Sequence, residues 1–144
     1  MYTHAKDDTV AVRDEIDYIG HYIDLQSLRL NRHTKVVWEC ETDDDTLRIP
    51  PMLLVTFVEN AFKYGASSSK DCTIRIRMEI EEGALRFTTQ NGIMKKRHEK
   101  EPAVGIENCR ARLELLYPGR FTLTAREENS EYELNLTIRL KLKR

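Results

Sequence analysis

The stretch that decides the fold lies between residues 49 and 65 and reads Ile49-Pro50-Pro51-Met52-Leu53-Leu54-Val55-Thr56-Phe57-Val58-Glu59-Asn60-Ala61-Phe62-Lys63-Tyr64-Gly65. Its two prolines stop extended structure, and the second suits the first turn of a helix. The residues that follow are apolar on most sides, and a glycine in the position of Gly65 suits the end of a helix. The stretch therefore predicts a largely buried helix over 52–65.

Glu59 and Asn60 break the apolar pattern of this helix. A carboxylate beside an amide is costly to bury unless both groups are satisfied or used, and Lys63 falls on the same side of the helix. Amide and carboxylate oxygens suit Mg²⁺, which often binds few protein ligands together with nucleotide phosphates. A lysine one turn away could meet those phosphates. On spacing alone, a helix end with a surface Glu–Lys pair is the favoured interpretation.

Three helices and six strands are predicted along the chain, in the order αββαββαββ. The helices are expected at 11–31, 52–65 and 106–117, and the strands at 35–40, 47–49, 74–80, 85–87, 121–125 and 132–142. The last four strands alternate apolar and polar residues and form two hairpins, which indicates one buried face. The order predicts helices packed on one face of a mostly antiparallel sheet.

Composition limits the chain to one globular domain, because 144 residues with 40% hydrophobic content match a single domain. The net charge of −1 argues against a strongly electrostatic nucleic-acid binder. No apolar run is long enough to cross a membrane. Cys40, Cys72 and Cys109 form no C-x-x-C pair and are expected to be reduced core cysteines of a cytoplasmic protein.

Two small-residue sites mark further breaks in the pattern. Asn91-Gly92 follows a buried strand and precedes a polar loop over 93–102, a position typical of an ordinary turn. Ala103-Val104-Gly105 lies just ahead of the helix at 106–117. A small-residue turn into a helix start is a ready anion site, although a tight loop explains it as well.

These motifs together carry a resemblance. Residues 58–65 resemble the N box of the ATPase superfamily that contains histidine kinases, gyrase, Hsp90 and MutL. Residues 49–54 are similar to the I/V-P-P-x-L-L version of the LytS-type sensor histidine kinases, and residues 14–30 resemble the helix that precedes it. Residues 105–117 are similar to the family's G-L-x-N-x-R-x-R-L-x-L-L-Y. The match covers nearly the whole chain with the family's spacing.

The resemblance implies a Bergerat-type α/β sandwich over residues 1–144, an α+β fold with its helices on one face of a mixed, mostly antiparallel sheet. This domain would bind ATP with Mg²⁺. By position in the motif, Asn60 would ligate Mg²⁺, and Glu59 would lie beside it and polarise water or the acceptor. Lys63 and Tyr64 would lie near the phosphates or the ribose.

The same resemblance places an ATP lid and a phosphate site late in the chain. The loop over 93–104 would be the lid, and Gly105 with Ile106 at the helix start would hold phosphate. In the family the G2 region reads G-x-G, whereas Ala103 occupies the first glycine position here. An alanine adds a Cβ where the backbone approaches phosphate.

The G1 box also departs from the family pattern. Its usual form is D-x-G-x-G or D-N-G, and its aspartate accepts a hydrogen bond from the adenine amino group. If Asn91-Gly92 aligns with N-G, then Gln90 replaces the aspartate; if Asn91 takes that place, its amide oxygen accepts the bond without charge. These departures predict weakened nucleotide affinity. They leave open an alternative, a degenerate non-catalytic interaction domain with weak or no nucleotide binding.

The function implied by the resemblance is transfer of the γ-phosphoryl group of ATP to a histidine. None of the four histidines lies in the family's P-H-F-x-x-N-like context. The acceptor is therefore expected on a dimerisation segment outside this chain, with a sensor region elsewhere and a response regulator downstream. The parent is expected to be a homodimeric, membrane-anchored bacterial protein with this domain in the cytoplasm. Nucleic acid is not an expected partner, since the basic run 95–98 is followed by acids.

Overall fold

The computed structural model describes residues 9–30, 32–67, 70–93 and 104–141. The helices are α1 (Val12–Ser27), α2 (Leu53–Gly65) and α3 (Val104–Leu116). The strands are β1 (Val10–Ala11), β2 (Thr34–Thr42), β3 (Arg48–Ile49), β4 (Cys72–Glu81), β5 (Ala84–Gly92), β6 (Phe121–Glu128) and β7 (Glu131–Arg139). In this part of the chain, no helix is both long and apolar enough to cross a membrane.

The main sheet has five strands in the order β2-β4-β5-β7-β6. The pair β2 and β4 is parallel, with α2 in the crossover between them, and the other three pairs are antiparallel. β1 and β3 form a separate two-stranded antiparallel sheet beside α1. The predicted α+β class, with helices against a mixed and mostly antiparallel sheet, is confirmed.

Alternation along the strands gives the sheet one buried face. In β4 the apolar residues at 74, 76, 78 and 80 are buried, while Arg75 and Arg77 between them are exposed. In β5, Leu85 and Phe87 continue the buried side. The helices cover this face, and α2 lies at the centre of the core because most of its residues are fully buried. The opposite face of the sheet is polar and is called the open face below.

Several predicted boundaries are wrong by a few residues; β7, for example, ends at Arg139 and not at 142, and β1 was not predicted, since Ala11 was placed in the first helix. α1 ends at Ser27 and not at 31, because Leu28 is 83% exposed and buries little apolar surface that would stabilise a further turn. The chain turns there toward β2. α3 begins at Val104, ahead of 106, so Gly105 lies inside its first turn. Asn91 and Gly92 complete β5 and do not break it, since both pair with β7. β2 extends to Thr42, into the predicted acidic turn.

The start of α2 is held by a residue of α1. Met52 precedes α2 in the left-handed region, with φ of 65°, and its own side chain makes no cap. The buried carboxylate of Glu15 accepts hydrogen bonds from the backbone N–H groups of Met52 and Leu54, each at 3.0 Å. Arg112 of α3 donates to the carbonyl oxygen of Pro51 at 3.1 Å. The three helices are therefore joined at the first turn of α2.

Candidate functional site

The polar break in α2 forms an outward stripe. Glu59 and Lys63 are exposed and Asn60 is half-buried, whereas the other sides of the helix are in the core. The Lys63 Nζ lies 5.2 Å from the centroid of the half-buried Tyr64 ring, a cation–π contact. Within the described part of the chain, the side chain of Asn60 makes no hydrogen bond. The structure therefore brings together the four residues that the sequence singled out on this helix.

Glu59 lies on the side of the stripe toward α1. The Tyr22 ring of α1 packs edge-on against Phe62, with centroids 5.7 Å apart. Burial raises the pKa of Tyr22, and the nearby Glu59 carboxylate raises it further. A negative charge near a phenol has this effect because it disfavours the phenolate. Glu59 is therefore close to the α1 surface, and Asn60 points to the other side of the stripe.

The start of α3 lies near Asn60. A Cβ on Gly105 would be 3.2 Å from Thr56 Cγ2, one helical turn before Asn60. Further along α3, the Cys109 thiol lies 3.8 Å from the carbonyl oxygen of Leu53. The two helices thus run in opposite directions, with the first N–H groups of α3 at the Asn60 end. Gly105 is exposed and Ile106 is half-buried at this helix start.

The end of β5 separates Gln90 from Asn91. Adjacent residues of a strand point to opposite faces, and Asn91 is on the helix-covered face with 2% exposure. A Cβ on Gly65 would lie 2.7 Å from Asn91 Cβ, so the end of α2 touches this side chain directly. Gln90 lies on the open face, opposite Arg75 and Glu133. Gly92, the last residue of β5, is half-buried.

Two buried polar atoms on this face make no hydrogen bond within the described residues. The Asn91 amide nitrogen donates to the carbonyl oxygen of Gly92 at 2.9 Å, but its Oδ1 has no donor. Two positions earlier on the same face, the Thr89 hydroxyl is fully buried and also unpartnered. An unsatisfied buried polar group costs about 1–3 kcal/mol. A donor from a bound ligand would relieve that cost.

Thr89 was missed at the sequence level, although a signal was available. Leu85 and Phe87 mark the buried face of β5, so Thr89 and Asn91 continue it with polar residues. The other missed residue is Glu15, which shares its helix face with Val12, Ile19 and Ile23. In both cases, the signal is a polar residue at a position where the pattern predicts an apolar one. Glu15 is an acid at such a position, and Thr89 carries a hydroxyl.

The arrangement has the parts needed for a nucleotide with a divalent cation. It offers the buried acceptor Asn91 Oδ1, the side-chain amide of Asn60, the ammonium group of Lys63 and the N-terminus of α3. A helix N-terminus favours anions. Among the described residues, no group of three or more His, Cys, Asp or Glu could hold a metal ion. The predicted lid residues 94–103, with Ala103 and the basic run 95–98, lie outside the described residues.

Comparisons with known proteins give a consistent result. No family model matches the chain. The chain is 25% identical over 134 residues to the sensor histidine kinase YesM of Bacillus subtilis, covering 89% of this chain and 23% of that protein. It is 32% identical over 71 residues to the sensor protein kinase HptS of Staphylococcus aureus, covering 49% of this chain and 14% of that protein. The chain thus spans a quarter or less of these relatives.

Solved structures show the same fold at low sequence identity. The catalytic domain of histidine kinase ThkA superposes with a TM-score of 0.64 at 14% identity, over 94% of this chain and 97% of that one. The histidine kinase AdeS of Acinetobacter baumannii gives 0.62 at 12% identity, over 93% of this chain and 67% of that one. The predicted histidine-kinase ATPase sandwich is confirmed, and sequence similarity to sensor kinases supports the predicted catalytic-domain role.

Proposed function

We propose that this chain binds Mg²⁺–ATP between α2, the end of β5 and the start of α3, as the catalytic domain of a LytS-type sensor histidine kinase. The observation that carries the proposal is the Asn91 Oδ1. It is buried, lacks a donor among the described residues and lies against the end of the helix that holds Glu59, Asn60 and Lys63. At this position the Oδ1 atom would accept a hydrogen bond from the amino group of adenine.

Asn91 takes the place of the family's aspartate in this proposal, and Gln90 does not. Asn91 faces the helices, while Gln90 faces the other side of the sheet. A neutral amide accepts a weaker hydrogen bond than a carboxylate, which agrees with an expectation of reduced affinity. The hydroxyl of Thr89 extends the polar edge that adenine would meet.

Asn60 is the proposed Mg²⁺ ligand, and Lys63 the proposed phosphate contact. Mg²⁺ commonly takes one or two protein oxygens and completes its shell with phosphates and water, so one free amide is a sufficient protein contribution. The contact with Tyr64 holds the Lys63 ammonium near the site. The first N–H groups of α3, at Gly105 and Ile106, point their dipole toward the same anion.

The reaction supported by this site is transfer of the γ-phosphoryl group to a histidine. ATP supplies the group transferred, and Mg²⁺ offsets its charge. The chain positions the phosphates and stabilises their charge, which is the main protein contribution in such transfers. Glu59, exposed beside Asn60, would orient the acceptor or a water molecule. The degenerate alternative remains as the second candidate, because Asn91 carries no charge.

The partners proposed are a dimerisation and phosphoacceptor segment of the parent protein and a downstream response regulator. One solved neighbour is histidine kinase ThkA in complex with response regulator protein TrrA, over 92% of this chain with a TM-score of 0.59. A membrane-anchored, homodimeric bacterial parent with this domain in the cytoplasm is proposed by the same analogy.

Calorimetric titration of the chain with ATP, with and without Mg²⁺, tests the proposal. We expect Mg²⁺ to increase the affinity, and we expect Asn60→Ala to remove that increase while ATP still binds weakly without metal. The matched control is Thr56→Ala on the same stripe, one turn earlier, which should keep the Mg²⁺ effect. Absence of binding at millimolar ATP in the unmodified chain would favour the degenerate alternative.

A further inference from the structure

A cavity bounded by described residues lies at one end of the open face, and its lining reaches Asn91 at the end of β5. This open-face depression has a volume of about 580 Å³. Its lining combines the short residues Thr73 and Gly92 with longer polar side chains. The register places Lys35 beside Thr73, Gln90 beside Arg75, and Glu131 beside Gly92. The depression is therefore a product of the strand pairing.

Three cations line the depression. Arg32, Lys35 and Arg75 are exposed, and none makes an ion pair or side-chain hydrogen bond within the described part of the chain. Two acids also line it. Asp71 contacts the ring of His33 at 2.9 Å, and Glu131 makes no ion pair within the described residues. The three cations of the lining therefore outnumber its two acids.

Arg77, also on the open face, has three acids close to its guanidinium. It lies two residues after Arg75 on the same face of β4. Its guanidinium is 3.4 Å from Glu39, 3.3 Å from Glu41 and 3.6 Å from Glu79. Arg75 has the amide of Gln90 as its cross-strand neighbour instead. The strand register therefore places no acid directly opposite Arg75, since its other cross-strand neighbour is Val37.

We propose that the open-face depression binds a compact phosphate-bearing anion through Arg32, Lys35 and Arg75. Guanidinium and ammonium groups both bind phosphate, the first in a bidentate manner and the second as a point charge. An anion with several charges can balance all three cations at once. The volume is in the range of small-ligand sites. Asn91, the proposed adenine contact, also lines the depression, so the two sites adjoin at the end of β5. The three cations are not part of the proposed nucleotide site, and the proposal does not depend on nucleotide binding.

Pyrophosphate is the first probe. Its binding is measured from amide NMR spectra of the intact chain at constant ionic strength. We expect saturable shifts of the Thr73, Gln90 and Gly92 amides. Arg75→Ala should weaken binding about fivefold, as for loss of one charged contact at an exposed site. Glu131→Gln should tighten it, because it removes one of the acids that repel the anion. Arg77→Ala is the matched control and should leave the affinity within about twofold.

A second titration with ADP distinguishes the two sources of phosphate. If ADP moves the Thr73 amide and Arg75→Ala abolishes that shift, the depression accepts the phosphates of a nucleotide; if only pyrophosphate moves it, the ligand is a free anion. Both outcomes support the site. Two results would overturn it: no saturable shift of Thr73 and Gly92 with either probe, or equal weakening by Arg75→Ala and Arg77→Ala. Loss of pyrophosphate binding in Asn60→Ala would assign the anion to the nucleotide site and would also reject the proposal.

Discussion

Glu15 is the residue that connects the helices. Its carboxylate is 2% exposed and accepts the N–H groups that begin α2. These groups have no partner within their own helix, so an acid from α1 supplies what a cap residue would supply. The dipole at the start of α2 also favours a negative charge there. The position of the Asn60 stripe relative to α1 therefore depends on this one side chain.

The ionisation of Glu15 predicts a pH dependence of stability. Burial raises the pKa of this carboxyl above its ordinary value of about 4.5, and the backbone hydrogen bonds at Met52, Leu54 and Val55 offset part of that rise. A carboxyl with a raised pKa binds its proton more tightly in the folded chain than in the unfolded chain. Its contribution to stability is therefore lost as pH rises from the ordinary pKa through the raised one.

Glu15→Gln isolates this contribution, because glutamine keeps the shape and does not titrate. We expect the unfolding free energy of the variant to increase relative to that of the unmodified chain as pH rises from 4 to 7. The unmodified chain loses stability over this range, and the variant does not. Urea unfolding at several pH values measures this difference. If the difference moves in the other direction, the backbone hydrogen bonds outweigh burial and the carboxylate is the preferred form.

At this scale the sequence identified the exposed polar residues well and the buried ones poorly. Glu59, Asn60 and Lys63 were visible because they interrupt an apolar run. Glu15 was hidden among the acids of the first turn of α1, which the helix dipole explains equally well. Only the packing of α1 against the start of α2 shows that Glu15 points inward. That contact joins residues almost 40 positions apart.

Among the elements, α2 and β5 meet at a glycine. Gly65 was predicted to end α2 as its C-cap. In the structure it is the last helical residue, and the cap residue Ala66 has extended backbone angles. The glycine is needed for a different reason, since a Cβ there would lie 2.7 Å from the Cβ of Asn91. Contact between the helix end and the strand end brings the N-box helix to the proposed adenine edge.

A pair of glycine variants tests this contact. Gly65→Ala should cost about 1–3 kcal/mol, as overpacking of a core does, and should lower nucleotide affinity by displacing Asn91. Gly20→Ala in the middle of α1 is the control, because its Cβ would meet nothing closer than the Trp38 ring nitrogen at 4.0 Å. It should stabilise the chain by about 0.5–1 kcal/mol, the helix preference of alanine over glycine. If urea unfolding gives the same change in stability for both variants, the close contact with Asn91 is not what makes Gly65 necessary.

Element type was predictable here, whereas element ends were less so. The alternation in β4 and β7 and the apolar run in α2 identify each element directly. The end of α1 depends on whether the Leu28 side chain is buried, and it is 83% exposed. The early start of α3 depends on how closely its first turn approaches Thr56. Both boundaries are set by tertiary contacts that local pattern does not contain.

For the molecule as a whole, the two faces of the sheet have different roles. The helix-covered face holds the core and the proposed nucleotide site, and the open face is charged. Gln90 and Asn91 are neighbours in sequence but lie on opposite sides of this division. The two alignments left open at the sequence level are therefore distinguishable experimentally, because each assigns the adenine contact to a different face.

The most direct test compares Asn91→Ala with Gln90→Ala in calorimetric titration with Mg²⁺–ATP, with thermal unfolding as a check that both variants fold. We expect Asn91→Ala to weaken binding about tenfold, the loss of one buried hydrogen bond, and Gln90→Ala to stay within about twofold of the unmodified chain. The opposite pattern, with binding lost in Gln90→Ala and kept in Asn91→Ala, would contradict the account.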